Sequence, residues 1–474
     1  MRDDTTQALE LVLEEARTYL EQLPGAPVRP ADIEAASQKL DGELPETGDG
    51  TLAAITRLIE GARDAHIRSA GPRFFHWVIG GSTPAALAGD WLASLLDQNA
   101  AAWDSSPLAF QVERTALAWL RDLFDLPAEW SGVLTTGATA ANFTALAAAR
   151  QWWGEQHGVD VAAAGLARPV PVLSSGFIHV SARKALAMLG IGRDTVRICA
   201  DDATGRLDLA ALERELRALG EPAIVIANAG EVNAGHFDPI AETADLAAEH
   251  GAWLHVDGAF GLFARLSPRT AALTAGVEHA DSVIADGHKW LNVPFDCGFA
   301  FVRDRRLLNT AFGIAHSAAY LPDPDEDRLA PAELGPEMSR RARALPVWAT
   351  LAAYGRSGHR ELVERNLAHA QRLAERIRAS SEFELLADVP VNIVCFRYRP
   401  TGLPEQALDE LNERLGAELL ADGRVYAGTT RWAGRVAFRP AFVNWRTTDD
   451  DVDLLLETLA ELGGRIRASS VAEA

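Results

Sequence analysis

Asp281-Ser282-Val283-Ile284-Ala285-Asp286-Gly287-His288-Lys289-Trp290-Leu291 reads as a buried strand that ends in a turn carrying His-Lys. The chain holds three lysines, Lys39, Lys184 and Lys289; the other 42 of its 45 Lys and Arg residues are arginines. Lys39 and Lys184 sit in ordinary amphipathic helical sequence. Lys289 alone follows an apolar strand and precedes a tryptophan. An amine placed there loses hydration, which lowers its pKa and makes it a nucleophile, as Schiff-base chemistry requires. The same placement also suits a lysine that snorkels out of a strand end.

Working outward from this stretch, residues 130–303 alternate strand and helix patterns. Apolar runs at 132–135, 170–174, 194–198, 222–228, 252–257, 282–285 and 297–302 predict strands. Helical periodicity falls between them at 138–152, 179–190, 208–219 and 239–250. This is the signature of an α/β fold: a mostly parallel sheet with helices on both faces, and ligands at the carboxyl ends of the strands.

Upstream, residues 5–23, a short stretch from Asp32 and residues 51–68 have helical spacing but too little sequence between them for a core of their own. They are expected to pack on a neighbour, the second subunit of a dimer being one candidate. Aromatic segments follow at Gly71-Pro72-Arg73-Phe74-Phe75-His76-Trp77 and Ala102-Trp103-Asp104. Such segments line small-molecule pockets or simply close a core. Downstream, residues 322–345 are rich in Pro and acid, a mobile composition. A helix is predicted over 346–380, with a break near Gly355–Gly358. The tail reads as strands at 383–388, 391–398, 423–429 and 433–439, with helices at 404–421 and 448–467. It is a small α+β unit with an antiparallel sheet. The expected division is an N-terminal helical segment over 1–82, a large domain over 83–355 and a small C-terminal domain over 356–474.

The net charge of −21 disfavours nucleic acid and anionic membranes as partners, since both demand a basic surface. Three scattered cysteines, Cys199, Cys297 and Cys395, suggest no disulfide framework and fit a reducing cytoplasm. No signal pattern or membrane-spanning run is evident. No metal-ligand spacing, Gly-x-Ser-x-Gly elbow or nucleotide-binding Gly-x-Gly-x-x-Gly follows a strand.

The chemistry-bearing residues fall one to a strand end. Thr135-Thr136-Gly137-Ala138-Thr139-Ala140-Ala141-Asn142 opens a helix with small residues, a turn that suits an anion or plain capping. His179 begins the next helix and can stack on a flat ring or serve the helix start. Asp257 ends an apolar strand, where a carboxylate is costly unless paired; a protonated pyridine nitrogen is one partner. Gly258 and Ala259 leave room for such a ring. His288 can donate to a phosphate. Arg439 can bind a carboxylate in bidentate fashion or face solvent from its strand.

At Pro72-Arg73-Phe74-Phe75, Thr136–Asn142, His255-Val256-Asp257-Gly258-Ala259 and His288-Lys289-Trp290 with Phe295-Asp296-Cys297, the chain resembles the group II pyridoxal-phosphate-dependent amino-acid decarboxylases, the family of aromatic-L-amino-acid, glutamate and histidine decarboxylases. The likeness runs from about residue 71 to 450. It implies the PLP-dependent transferase fold type I (aspartate-aminotransferase-like), a homodimer with active sites at the interface, and pyridoxal 5′-phosphate (PLP) as cofactor. It implies that Lys289 forms the Schiff base, Asp257 pairs with the pyridine nitrogen and His179 stacks on the ring. Ala138, Thr139 and His288 match phosphate-binding positions, and Ala259 the small residue under the ring. Trp77 and Trp103 fall in substrate-pocket segments. The activity implied is decarboxylation of an L-amino acid, an aromatic one being the best guess from the aromatic segments. Aldehyde formation, lyase or aminotransferase chemistry on the same scaffold are alternatives, and a non-catalytic binding protein is disfavoured by the intact Lys289, Asp257 and His179 set. Two departures bear on the outcome. The family's loop tyrosine has no counterpart in 321–347, which lacks Tyr, His, Lys and Cys. The family's threonine-rich turn is here Asn228-Ala229-Gly230-Glu231-Val232-Asn233.

Overall fold

The computed structural model describes residues 3–200, 204–313 and 330–472. The acidic residues 322–329 of the proline-rich loop lie outside them. The chain forms two compact units. One comprises Met1–Ile79, Ala368–Val389 and Ile393–Ala474, the other Gly80–Leu367 and Pro390–Asn392. The first opens with helices α1 (Thr5–Gln22), α2 (Ile33–Gln38) and α3 (Thr51–Ala62). α1 packs against α3, yet none of its residues is fully buried, and Leu9, Leu13 and Leu20 stay exposed.

The second unit holds a seven-stranded sheet: β1 (Ser131–Thr135), β2 (Val172–Ser174), β3 (Arg197–Ile198), β4 (Ile224–Asn228), β5 (Trp253–Asp257), β6 (Ser282–Asp286) and β7 (Gly298–Val302). Their spatial order is β1-β7-β6-β5-β4-β2-β3. The pairs within β2 to β6 are parallel, and β7 runs antiparallel to both its neighbours. β4 to β7 are buried along their whole length, which is why they read as unbroken apolar runs.

The helices of this unit are α4 (Pro84–Leu96), α5 (Pro107–Leu123), α6 (Ala138–Gln156), α7 (Val161–Ala164), α8 (Val180–Met188), α9 (Leu209–Leu219), α10 (Ile240–Glu249), α11 (Arg305–Phe312) and the start of α12 (Ala344–Ala379). α6 lies across β5, β6 and β7. Its buried Ala141, Ala145 and Ala148 let its axis approach the strands closely, and it shares a core with Ile226, Ile284 and Ala300. Phe299 faces the other way, stacked on Phe124, which meets Phe263 edge-on.

α4, between the aromatic segments, and α5, after the second of them, are not among the helices expected above, although each begins with a plain start signal. Thr83 and Ser106 cap Ala86 and Ala109 through their hydroxyls, each followed by proline at the first helical position. The break predicted in the long helix falls at Gly355, whose φ is 59°. The mobile composition of residues 330–345 misleads: Pro331, Ala332 and Leu334 are buried, and the segment is pinned by Arg340. That guanidinium, 1% exposed, donates to both carboxylate oxygens of Glu113 at 3.0 and 2.7 Å and to the carbonyls of Ala100 and Leu134.

The first unit is completed by β8 (Phe383–Leu385), β9 (Phe396–Tyr398), α13 (Glu405–Asp422), β10 (Thr429–Trp432), β11 (Arg435–Phe438) and α14 (Asp449–Ala472). The strands form an antiparallel sheet, ordered β10-β11-β9-β8. The strand expected at 423–429 is displaced to Thr429–Trp432. Register is set by a two-residue turn at Ala433 and Gly434, both at positive φ, so the hairpin closes there. Phe74 and Phe75 are fully buried here. Phe74 stacks on Tyr426, and Phe75 joins the core of Tyr398, Leu415 and Phe438. They close a core rather than line a pocket.

Replacing Arg340 by Met is expected to destabilise this protein by about 3–5 kcal/mol, because it strands Glu113 as a buried unpaired charge. The double change Arg340→Met with Glu113→Leu should recover most of that loss. Denaturant unfolding of both variants measures the difference; equal losses would mean that the pair is not what pins the segment.

Candidate functional site

Three carboxyl ends of parallel strands meet on one edge of the large sheet: Asn228 on β4, Asp257 on β5 and Asp286 on β6. Beside them lies a cavity of about 200 Å³ whose wall includes His179, Asn228, Glu231, Asp257, Ala259 and Lys289. The structure thus brings the candidate lysine, aspartate, histidine and small residue to one space.

Asp257 is held by a chain of hydrogen bonds that sequence reading missed. Asn142 Nδ2 donates to Asp257 Oδ2 at 2.9 Å, and the N–H of Ala259 reaches Oδ1 at 3.2 Å. Asn142 Oδ1 faces His255 Nε2 at 2.8 Å, His255 Nδ1 faces Ser282 Oγ at 2.8 Å, and Trp253 Nε1 donates to Ser282 Oγ at 3.0 Å. One set of proton positions satisfies every member. The indole donates to the hydroxyl, the hydroxyl to Nδ1, Nε2–H to the amide oxygen and the amide to the carboxylate. Every side chain in it is buried. Burial pushes His255 down to about 4, against the pull of Asp257, so it stays neutral and keeps this tautomer.

The same Asn142 amide lies 3.3 Å from Ser181 Oγ, which bonds His179 Nδ1 at 2.7 Å. His179 also caps α8, its Nδ1 accepting from Ser181 N–H. The two readings of His179 are therefore compatible: the capping bond fixes the ring while the ring lines the cavity. The one sequence clue to Asn142 was a polar side chain on the buried face of an alanine-rich helix.

Lys289 has a half-open setting, its side chain 14% exposed, while Lys39 and Lys184 are surface residues. Its Nζ lies 3.2 Å from Asp286 Oδ2, and His288 Nε2 lies 3.5 Å from the same oxygen. Asp286 was in plain view, three residues before the lysine, yet was read only as the end of the strand. The Cys297 N–H donates to His288 Nδ1 at 3.3 Å. Burial keeps His288 below its ordinary value despite Asp286. Trp290 is anchored by Asn366 at 2.8 Å. Two glycines permit the turn. A methyl on Gly80 would sit 1.8 Å from the Lys289 carbonyl. Gly137, the N-cap of α6 at φ 135°, would bring one to 3.0 Å of the His288 ring. Ala138 and Thr139, the first residues of α6, therefore start beside His288 rather than on the cavity wall.

Glu231 is 4% exposed, and burial raises it above the usual carboxylate range. It accepts the N–H groups of Asn233, at 2.7 Å, and Ala234, closing its own turn. Trp103 lies in the same unit, half-buried against the edge of Phe110 and away from the cavity wall. Trp77 and Arg439 belong to the other unit. Trp77 is 58% exposed at φ 55°, 4.2 Å from the His76 ring. Burial, with the nearby Arg439 charge, pushes His76 down to about 4. Among the described residues, no group of three His, Cys, Asp or Glu side chains could hold a metal, and no helix is long and apolar enough to cross a membrane.

A flat cationic ring with an anionic arm fits this donor set. Asp257 keeps lone pairs beyond its two bonds. Ala259 and His179 both line the cavity, and a helix N-terminus with a neutral histidine lies next to Lys289. Comparison with known proteins agrees. A family model described as the pyridoxal-dependent decarboxylase conserved domain matches residues 37–399. An L-2,4-diaminobutyrate decarboxylase of Rhizobium meliloti (strain 1021) is 35% identical over 429 residues, 88% of this chain and 83% of that protein. An aromatic-L-amino-acid decarboxylase of Bacillus atrophaeus is 29% identical over 478 residues, 99% and 96%. The crystal structure of Oryza sativa TDC with PLP and tryptamine superposes with a TM-score of 0.90 at 26% identity, covering 98% of this chain and 99% of that one.

A buried His255 held at about 4, against 6.5 for the free side chain, sets a pH dependence. Between these values the unfolded chain binds a proton that the folded chain refuses. Stability is full above pH 6.5 and falls as the pH drops towards 4, by roughly 3 kcal/mol for this one group. Urea unfolding across that range should show the fall, and His255→Gln should flatten it.

Proposed function

Because the chain belongs to the pyridoxal-dependent decarboxylase family, and is a PLP-dependent carboxy-lyase of fold type I, we propose that it removes CO₂ from an aromatic L-amino acid and releases the amine. One observation carries the reaction: Lys289, Asp257 and His179 converge on a single cavity, with Asp257 wired through Asn142 to a neutral histidine. Bound there, PLP supplies a carbonyl carbon that condenses with amines and a ring that takes the electron pair left when CO₂ departs. Lys289 would hold the cofactor through Nζ. Asp257 would favour a proton on the cofactor's ring nitrogen, since a carboxylate in a poorly hydrated site favours a charged partner. His179 packs on the ring and Ala259 gives it room. Ala138, Thr139 and His288 would hold the phosphate. Support for an aromatic substrate is the Bacillus relative, which matches nearly the whole chain. In this reading residues 1–82 form the dimer arm, 83–355 the cofactor domain and 356–474 the small domain.

A second substrate has an observation of its own. Glu231 puts a buried carboxylate on the cavity wall, complementary to a second ammonium, and a relative at 35% identity is an L-2,4-diaminobutyrate decarboxylase. We also propose a homodimer. α4 exposes Trp91, Leu92 and Leu95, and α1 leaves its leucines uncovered, so a second copy of the chain would bury both. The three free cysteines, all buried, fit work in a reducing cytoplasm.

Incubating the holoenzyme with aromatic L-amino acids and L-2,4-diaminobutyrate should give CO₂ and amine in equal amounts from an aromatic substrate. Turnover of diaminobutyrate alone would replace that assignment with the second one; aldehyde and ammonia with oxygen consumed would replace the amine. Lys289→Ala should lose the visible absorbance of the bound cofactor, and Asp257→Asn should lower kcat by about 10²–10⁴-fold. Leu95→Glu should shift the protein from dimer to monomer in sedimentation, and an unchanged dimer would remove α4 from the interface.

A further inference from the structure

Asp286 is a buried charge that the reaction as described leaves unused. Both of its close cationic or donor neighbours, Lys289 and His288, approach Oδ2. Oδ1 is buried with no hydrogen-bond partner. It is not remote from the proposed phosphate end: a side-chain carbon on Gly137 would lie 3.5 Å from Oδ1 and 3.0 Å from His288 Cε1. The unpaired oxygen thus lies against the N-cap of α6, where an incoming anion would be held.

Two anions at that end conflict. A phosphate carries about −1.5 to −2 at neutral pH, and like charges in a poorly hydrated site keep a proton between them. Lys289 compensates Asp286 while its amine is free. Committing Nζ to a carbonyl carbon, with loss of water, takes that ammonium away. The other groups around Asp286 supply no substitute. His288 is kept neutral by burial, with its Nδ1 accepting from Cys297. The Cys297 thiol, at the start of β7, is pushed up by burial and by Asp286 and stays protonated. Asp296 adds negative charge, and Arg343 is engaged by Asp296 at 3.4 Å and Glu337 at 2.9 Å.

We propose that Asp286 is a proton-linked positioning residue for the cofactor: a carboxylate paired with Lys289 before PLP binds, it takes up one proton as the phosphate arrives and donates it from Oδ1. This rests on the placement of the phosphate at Gly137–Thr139 and His288. Condensation of the Lys289 ammonium with the carbonyl frees one proton; with the phosphate in place Asp286 holds one, whereas with pyridoxal it does not, so the affinity for PLP relative to pyridoxal falls as pH rises. The fall is about tenfold per pH unit over the window in which bound Asp286 holds a proton that free Asp286 does not. An asparagine donates an N–H without needing a proton and removes the slope.

Isothermal titration of the apo-protein, in buffers of different ionisation heat at about pH 8, counts the protons taken up; at that pH free phosphate is fully ionised. Wild type should take up one proton more with PLP than with pyridoxal, which lacks the phosphate. Asp286→Asn should abolish that difference and flatten the pH dependence of the PLP-to-pyridoxal affinity ratio. No difference between the two ligands in wild type overturns the proposal without reference to any variant. A difference that persists in Asp286→Asn and vanishes in His288→Gln also overturns it, assigning the proton to His288. Failure of the apo-protein to bind PLP at all would overturn the cofactor reading, and this inference with it.

Discussion

The hydrogen bond from Asn142 to Asp257 is the contact on which the site depends. A carboxylate at the end of a fully buried strand costs several kcal/mol unless something holds its charge. Here the holder is an amide on α6, itself oriented by His255 from the strand that carries Asp257. The bond fixes the distance between α6 and β5, and that distance exists because α6 is lined with alanines. Larger residues at 141 or 145 would lift the helix from the sheet and break a bond only 2.9 Å long. Packing and charge at this strand end are set by one close approach.

This explains which parts were legible in the sequence. Strands buried on both faces announce themselves as apolar runs, and their ends announce the ligand-bearing residues, so Asp257 and Lys289 stood out. The relay behind Asp257 did not, because Asn142 is far along the chain from both its partners and its pairing exists only once the sheet has assembled. Local signals also lost to tertiary ones. Residues 330–345 have a loop's composition, but a bidentate ion pair orders them. The run at 423–429 has strand composition, but the turn at Ala433-Gly434 decides the register. Phe74 and Phe75 look like pocket residues beside Trp77, and the small unit needs them for its core. Whether an aromatic residue is core or ligand contact is a matter of which face it presents, which composition does not encode.

Glu231 shows how a departure from a family pattern is absorbed. A carboxylate in the turn where the family carries threonines would be an intruder in a cavity wall if it were free. It accepts two backbone N–H groups of its own turn and so replaces external partners with internal ones. Burial nevertheless raises its proton affinity, so this wall of the cavity carries a carboxyl group that holds a proton more readily than a free one.

The two aspartates of the site solve one problem in opposite ways. Asp257 is surrounded by neutral donors whose proton positions are locked in a single order, an arrangement suited to holding a proton on a facing nitrogen. Asp286 depends on one flexible ammonium for both its charge and its position, and one of its oxygens has nothing to hold it. A charge kept by a rigid relay cannot respond to what binds; a charge kept by a reactive amine must respond when that amine is consumed. The end of the site that carries Lys289 is therefore the end where occupancy and protonation are tied together, while the Asp257 end stays fixed.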